Sequence, residues 1–64
     1  MERSTVTQMA KSGGAKVLWY DKNTSCYQFS TEDQLFNFRE KVPFVTVWTN
    51  NNRLNVFFDQ VKDY

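Results

Sequence analysis

Pro43-Phe44-Val45-Thr46-Val47-Trp48-Thr49-Asn50-Asn51-Asn52-Arg53-Leu54-Asn55-Val56-Phe57-Phe58-Asp59 is the stretch on which the fold turns. Both flanks are rich in β-branched and aromatic residues, which suit a pleated, half-buried strand. The three asparagines between them tolerate left-handed backbone, so the segment reads as a tight β-hairpin. With Asn51-Asn52 as a two-residue turn, position 47 falls opposite 56 and position 45 opposite 58. Val45, Val47, Leu54, Val56 and Phe58 then share one apolar face. Phe44, Thr46, Trp48, Asn55 and Phe57 share the other.

Upstream lies one helix. Ser30 or Thr31 can cap it, and Thr31 with Gln34 has capping-box spacing. Glu32 and Asp33 place negative charge in the first turn, where the helix dipole favours it. Leu35, Phe38 and Val42 fall on one face, with Phe36 beside them. Arg39 and Lys41 occupy the last turn and Pro43 stops the helix, which is predicted at about 31–42. Further upstream, Lys16–Tyr20 and Ser25–Phe29 flank the turn residues Asp21 and Asn23 and predict a second hairpin. The parity of this hairpin is open, because one residue more or less in its turn exchanges its two faces.

These elements predict an α+β fold in ββαββ order: an antiparallel sheet of two hairpins with one helix on one face. The expected core is Val17 or Leu18, Leu35, Phe38, Val42, Val45, Val47, Leu54, Val56 and Phe58. Residues 1–14 are polar and end in Gly13-Gly14, so they read as a flexible basic arm before a single α+β domain over residues 15–64. A shift of 29 residues sets Trp19 on Trp48, Asp21 on Asn50, Asn23 on Asn52, Tyr27 on Val56 and Phe29 on Phe58. Hairpins in general share this grammar, and coincidence is the preferred reading over an internal repeat.

The chain has 64 residues and a formal net charge of +1, and 17% of it is aromatic. A domain this small buries only about 60% of its unfolded surface, so large rings must supply much of the core. The single Cys26 excludes an internal disulfide, and with no histidine present no metal set is expected. An unpaired cysteine, a polar start and no long apolar run point to a cytoplasmic protein without a membrane span.

Catalysis finds little support. Without histidine, acid–base work at neutral pH would need a strongly shifted carboxylate, lysine, tyrosine or thiol. Glu32 and Asp33 are explained by the helix dipole, and Cys26 has no base beside it. Ser12-Gly13-Gly14-Ala15-Lys16 lacks phosphate-loop spacing and leads into a strand. The expectation is therefore a protein without catalytic residues, cofactor or small-molecule substrate.

One helix covers one sheet face, so the aromatic face opposite needs another explanation. An arm or tail of the same chain could cover it. A protein partner could, since tryptophan and phenylalanine suit interfaces. A single-stranded nucleic acid could stack on it. The favoured expectation is a small protein-binding module, a homodimer or hetero-complex, of the modulator type that phages and mobile elements encode. Its partner-binding residues would be Trp48, Phe57, Phe44, Thr46 and Asn55, extended by Trp19 or Tyr20. In the nucleic-acid alternative Lys11, Lys16, Lys22 and Arg53 form a basic rim, although the near-neutral charge opposes that reading.

Overall fold

In the computed structural model, which describes residues 1–62, the chain opens with a helix, not with an arm. The order is α1 (Arg3–Ser12), β1 (Lys16–Tyr20), β2 (Thr24–Gln28), α2 (Glu32–Lys41), β3 (Phe44–Thr49) and β4 (Arg53–Val61). The architecture is α+β, in αββαββ order. The four strands form one antiparallel sheet in the order β1-β2-β4-β3.

Both helices lie on one face of this sheet. Val6 and Ala10 of α1 and Leu35 and Phe38 of α2 are buried in one cluster with Tyr27, Phe29, Phe44, Leu54 and Val56. Phe38 meets Tyr27 edge-on at 5.5 Å and lies 5.2 Å from Phe29. Thr7 Oγ1 and the Tyr27 hydroxyl share a hydrogen bond of 2.9 Å, which ties α1 to the middle of β2.

The expected flexible arm is thus corrected. Val6, Met9 and Ala10 are spaced i, i+3 and i+4, one stripe of a helix, and Met9 packs on the core that holds the other two. The usual start signals are missing: Glu2 makes no side-chain cap and the first turn holds no acid. Gly13-Gly14 is a helix stop instead of a joint. The Gly14 N–H bonds to the Lys11 carbonyl at 3.1 Å, and the Ala15 N–H reaches the Ala10 carbonyl at 2.9 Å. With Gly14 at φ +93°, this is the Schellman arrangement, and an added Cβ would fall 2.8 Å from Gln34 Nε2.

α2 runs as predicted. Thr31 Oγ1 accepts from the Gln34 N–H at 3.2 Å, and Gln34 Oε1 accepts from the Ser30 N–H at 3.1 Å. In the first hairpin, Asp21 Oδ1 accepts from the N–H groups of Asn23 and Thr24 at 3.1 and 2.9 Å. The register shifts between Val17 and Trp19. This bulge resolves the open parity: Val17 faces the helices opposite Tyr27, while Trp19 faces away opposite Cys26.

The second hairpin differs from the expectation by one residue. Thr49 pairs with Arg53, so the loop is Asn50-Asn51-Asn52, with Asn51 at φ 61° and Asn52 at φ 59°. Thr46 then stands opposite Val56, Trp48 opposite Leu54, and Val47 opposite Asn55. The slip leaves Leu54 and Val56 in the core as predicted but turns β3 over. Val45 and Val47 leave the core, and Phe44 enters it at 7% exposure, its ring 5.1 Å from Phe58. Hydrogen bonds hold the loop in this form: the Phe29 N–H donates to the Asn52 carbonyl at 2.9 Å and Gln28 Nε2 to the Asn51 carbonyl at 3.3 Å.

Asp63 and Tyr64 lie outside the described residues, and with them the Val61–Tyr64 spacing; of the tail considered as one possible cover, Gln60 and Val61 belong to β4.

Candidate interaction surface

Opposite residues in an antiparallel pair share a face, so the ladders define the side of the sheet away from both helices. One row across it is Trp19, Cys26, Asn55 and Val47. A second is Thr24, Phe57 and Val45, and a third is Lys16, Gln28, Arg53 and Thr49. Leu18, the extra residue of the β1 bulge, is itself exposed.

This face is apolar at its middle. Trp19 is 47% and Val47 45% exposed, and Phe57 and Val45 are half-buried. No helix among the described residues packs on it. Cys26 is 3% exposed although it lies on this open side, between Trp19 and Asn55. Burial pushes its thiol pKa up, while the nearby Arg53 guanidinium pulls the other way. Arg53 and Lys16 are the charged members of the three rows, and among the described residues neither side chain has an ionic partner.

The expected site residues are therefore divided. Phe57, Asn55 and Trp19 meet on the open face. Phe44, Thr46 and Trp48 are on the helix side, so the expected patch of Trp48, Phe57 and Phe44 does not exist as one surface. The physical reason is the three-residue loop. Trp48 remains 41% exposed, with its ring edge-on to Phe36 of α2 at 5.0 Å. Tyr20 also lies on the helix side, opposite Ser25, and its ring is 5.6 Å from the Arg3 guanidinium.

Nor do the four expected rim cations form one rim. Lys16 and Arg53 border the open face. Lys22 sits in the first turn, where its carbonyl accepts from Arg3 at 2.6 Å. Lys11 belongs to α1 and lines a groove beside β1 together with Arg3 and Tyr20.

Val45 and Val47 are open-face residues that the sequence reading placed in the core. The signal for them was the third asparagine, which permits a loop one residue longer.

A separate groove of about 680 Å³ runs between the helices, lined by Gln8, Met9, Gln34, Asn37, Phe38 and Lys41 among others. No group of three or more Cys, Asp or Glu among the described residues is placed to hold a metal. No helix among the described residues is long and apolar enough to cross a membrane.

No family model matches this chain, and neither the curated proteins nor the solved structures contain a match to it.

Proposed function

We propose that this chain is a non-enzymatic protein-binding module whose working surface is the helix-free face of its sheet, centred on Trp19, Phe57, Val45 and Val47. The observation that carries the reading is an aromatic and aliphatic middle on a face that no described helix covers. A solvated sheet face normally alternates to polar residues. Contiguous apolar patches of more than a few hundred Å² on small proteins mark interaction sites. The rigid side of the molecule, with both helices and the packed core, positions the patch without contributing to contact. A protein of this size and build suits the role of a modulator that occupies a surface on a larger partner.

Single-stranded nucleic acid is the second reading. It is favoured by Lys16 and Arg53, both cationic and without an ionic partner among the described residues. Trp19 and Phe57 would serve as stacking rings. Against it, two cations make few phosphate contacts, and such contacts dominate affinity for nucleic acid.

The test is affinity capture with the wild-type chain and with Trp19→Ala, alongside anisotropy of a labelled oligothymidine. The proposal expects a protein retained by wild type and weakened by roughly 2 kcal/mol in Trp19→Ala with the fold intact. Tight oligothymidine binding that falls steeply with salt, and no protein lost on Trp19→Ala, would overturn it in favour of the second reading.

A further inference from the structure

We infer that β3 is a self-pairing edge: two copies of this chain join antiparallel along β3, forming one continuous eight-stranded sheet. This goes beyond the face-binding reading, because it concerns the strand edge and a second copy of the chain.

β1 and β3 are the two outer strands, and they are not equally protected. β1 begins with Lys16 and is interrupted by the bulge between Val17 and Trp19. A charge and a bulge are two devices by which proteins blunt an edge. β3 has neither between Val45 and Thr49. Its six residues, Phe44-Val45-Thr46-Val47-Trp48-Thr49, are all β-branched or aromatic, without charge, glycine or proline. It pairs with β4 in unbroken register from Val45 to Thr49. Among the described residues, no backbone hydrogen bond joins β3 to an element other than β4. Its outer row of N–H and C=O groups is a template for another strand.

Self-complementarity points to a second copy as the occupant: about a two-fold axis at Thr46 valine meets valine and aromatic meets aromatic, with no like charges opposed. A strand that carries charge meets like charge when it pairs with itself, whereas β3 meets none in any register. Residues opposite one another must share a face. A two-fold axis at Thr46 satisfies this, setting Val45 against Val47 and Phe44 against Trp48. A ladder of residues 44–48 from each copy alone buries less than the roughly 1,200 Å² of a stable interface. The exposed side chains beside the edge add to it: Val47 on the open face, and Trp48 with Phe36 on the helix side. Pairing also joins the two open faces, with Val45 and Val47 of both copies at the centre.

The experiment is sedimentation equilibrium of the full chain from micromolar to millimolar concentration, with hydrogen exchange under the same conditions. The expected mass rises from 7.6 kDa to twice that value, and amides of residues 44–49 gain protection as it does. Val47→Lys weakens association at least about tenfold, while Leu18→Lys on the opposite edge leaves it unchanged. A chain that stays at 7.6 kDa at millimolar concentration overturns the proposal. So does a dimer that survives Val47→Lys. If Val47→Lys fails to fold, wild-type exchange decides, and protection gained at β1 instead of β3 is equally fatal. Trp19→Ala, which tests the face, leaves this association intact.

Discussion

Cys26 and Asn55 stand directly opposite each other in the β2–β4 ladder, and they are also each other's counterparts under a shift of 29 residues. The same shift carries α1 (Arg3–Ser12) onto α2 (Glu32–Lys41) and brings β1 and β2 onto β3 and β4. It exchanges Ser25↔Val56 with Tyr27↔Leu54 in the ladder. A pseudo-two-fold axis therefore passes through the Cys26–Asn55 pair, and the fold is an αββ unit used twice. Val6 and Leu35, both fully buried, are equivalent helix residues in the two halves. The spacing noticed between the hairpins was thus a repeat at the level of structure, one helix longer than the sequence suggested.

Because Val6 and Ala10 belong to the shared core, α1 is required for folding. A chain beginning at Ala15 is expected to lose its cooperative thermal transition, and Val6→Ala to cost on the order of 2 kcal/mol. Calorimetry checks both. A truncated chain that melts as sharply as the full one would place α1 outside the core.

Gly14 should be the sensitive glycine. Its φ of +93° and the 2.8 Å approach to Gln34 predict a loss of about 1–2 kcal/mol for Gly14→Ala. Gly13, the C-cap at φ −86° and ψ 8°, has negative φ that an alanine can adopt. Gly13→Ala should be neutral or stabilise by about 0.5 kcal/mol. Denaturant midpoints compare the two; equal effects would contradict the C-terminal cap.

The register of the second hairpin separates two valines that the sequence reading placed together. Val56→Asp buries an unpaired charge among the helices and should unfold the protein. Val47→Asp places its charge on the open face and should cost less than about 1 kcal/mol. Far-UV circular dichroism during urea titration distinguishes them, and the reverse order of damage would restore the two-residue turn.

Cys26 predicts an alkaline limit. Burial raises its thiol pKa in the folded state, so the fold keeps a proton that the unfolded chain releases. The stability from this site is complete below the ordinary thiol value of about 8.5. It is lost as pH rises through the raised folded value. Native protein should react slowly with a thiol reagent at pH 8, and denatured protein quickly. Cys26→Ser should flatten the alkaline fall in melting temperature; equal thiol reactivity in both states would refute the burial.

Local chemistry made part of this molecule legible in the sequence. Thr31, Gln34 and Pro43 mark the limits of α2 through hydrogen bonds within four residues. Asp21 and Asn23 mark the first turn in the same way. Leu54, Val56 and Phe58 alternate within a strand that can show only one face to a core. Each of these signals is decided by neighbours in the chain.

Tertiary structure decided the rest. α1 has no side-chain cap, and Val6, Met9 and Ala10 make a short stripe that is stable only against Tyr27 and the α2 side chains. A marginal helix takes its stability from packing, which a local pattern cannot reveal. The faces of Trp48, Phe44 and Val47 hang on whether two or three asparagines close the turn, and contacts from Gln28 and Phe29 to the loop select three. Trp19 faces away from the helices only because β1 bulges after Val17. Strand period is two, so a single residue of loop or bulge exchanges faces. Composition therefore settled that an aromatic surface would exist, and long-range packing chose which rings form it.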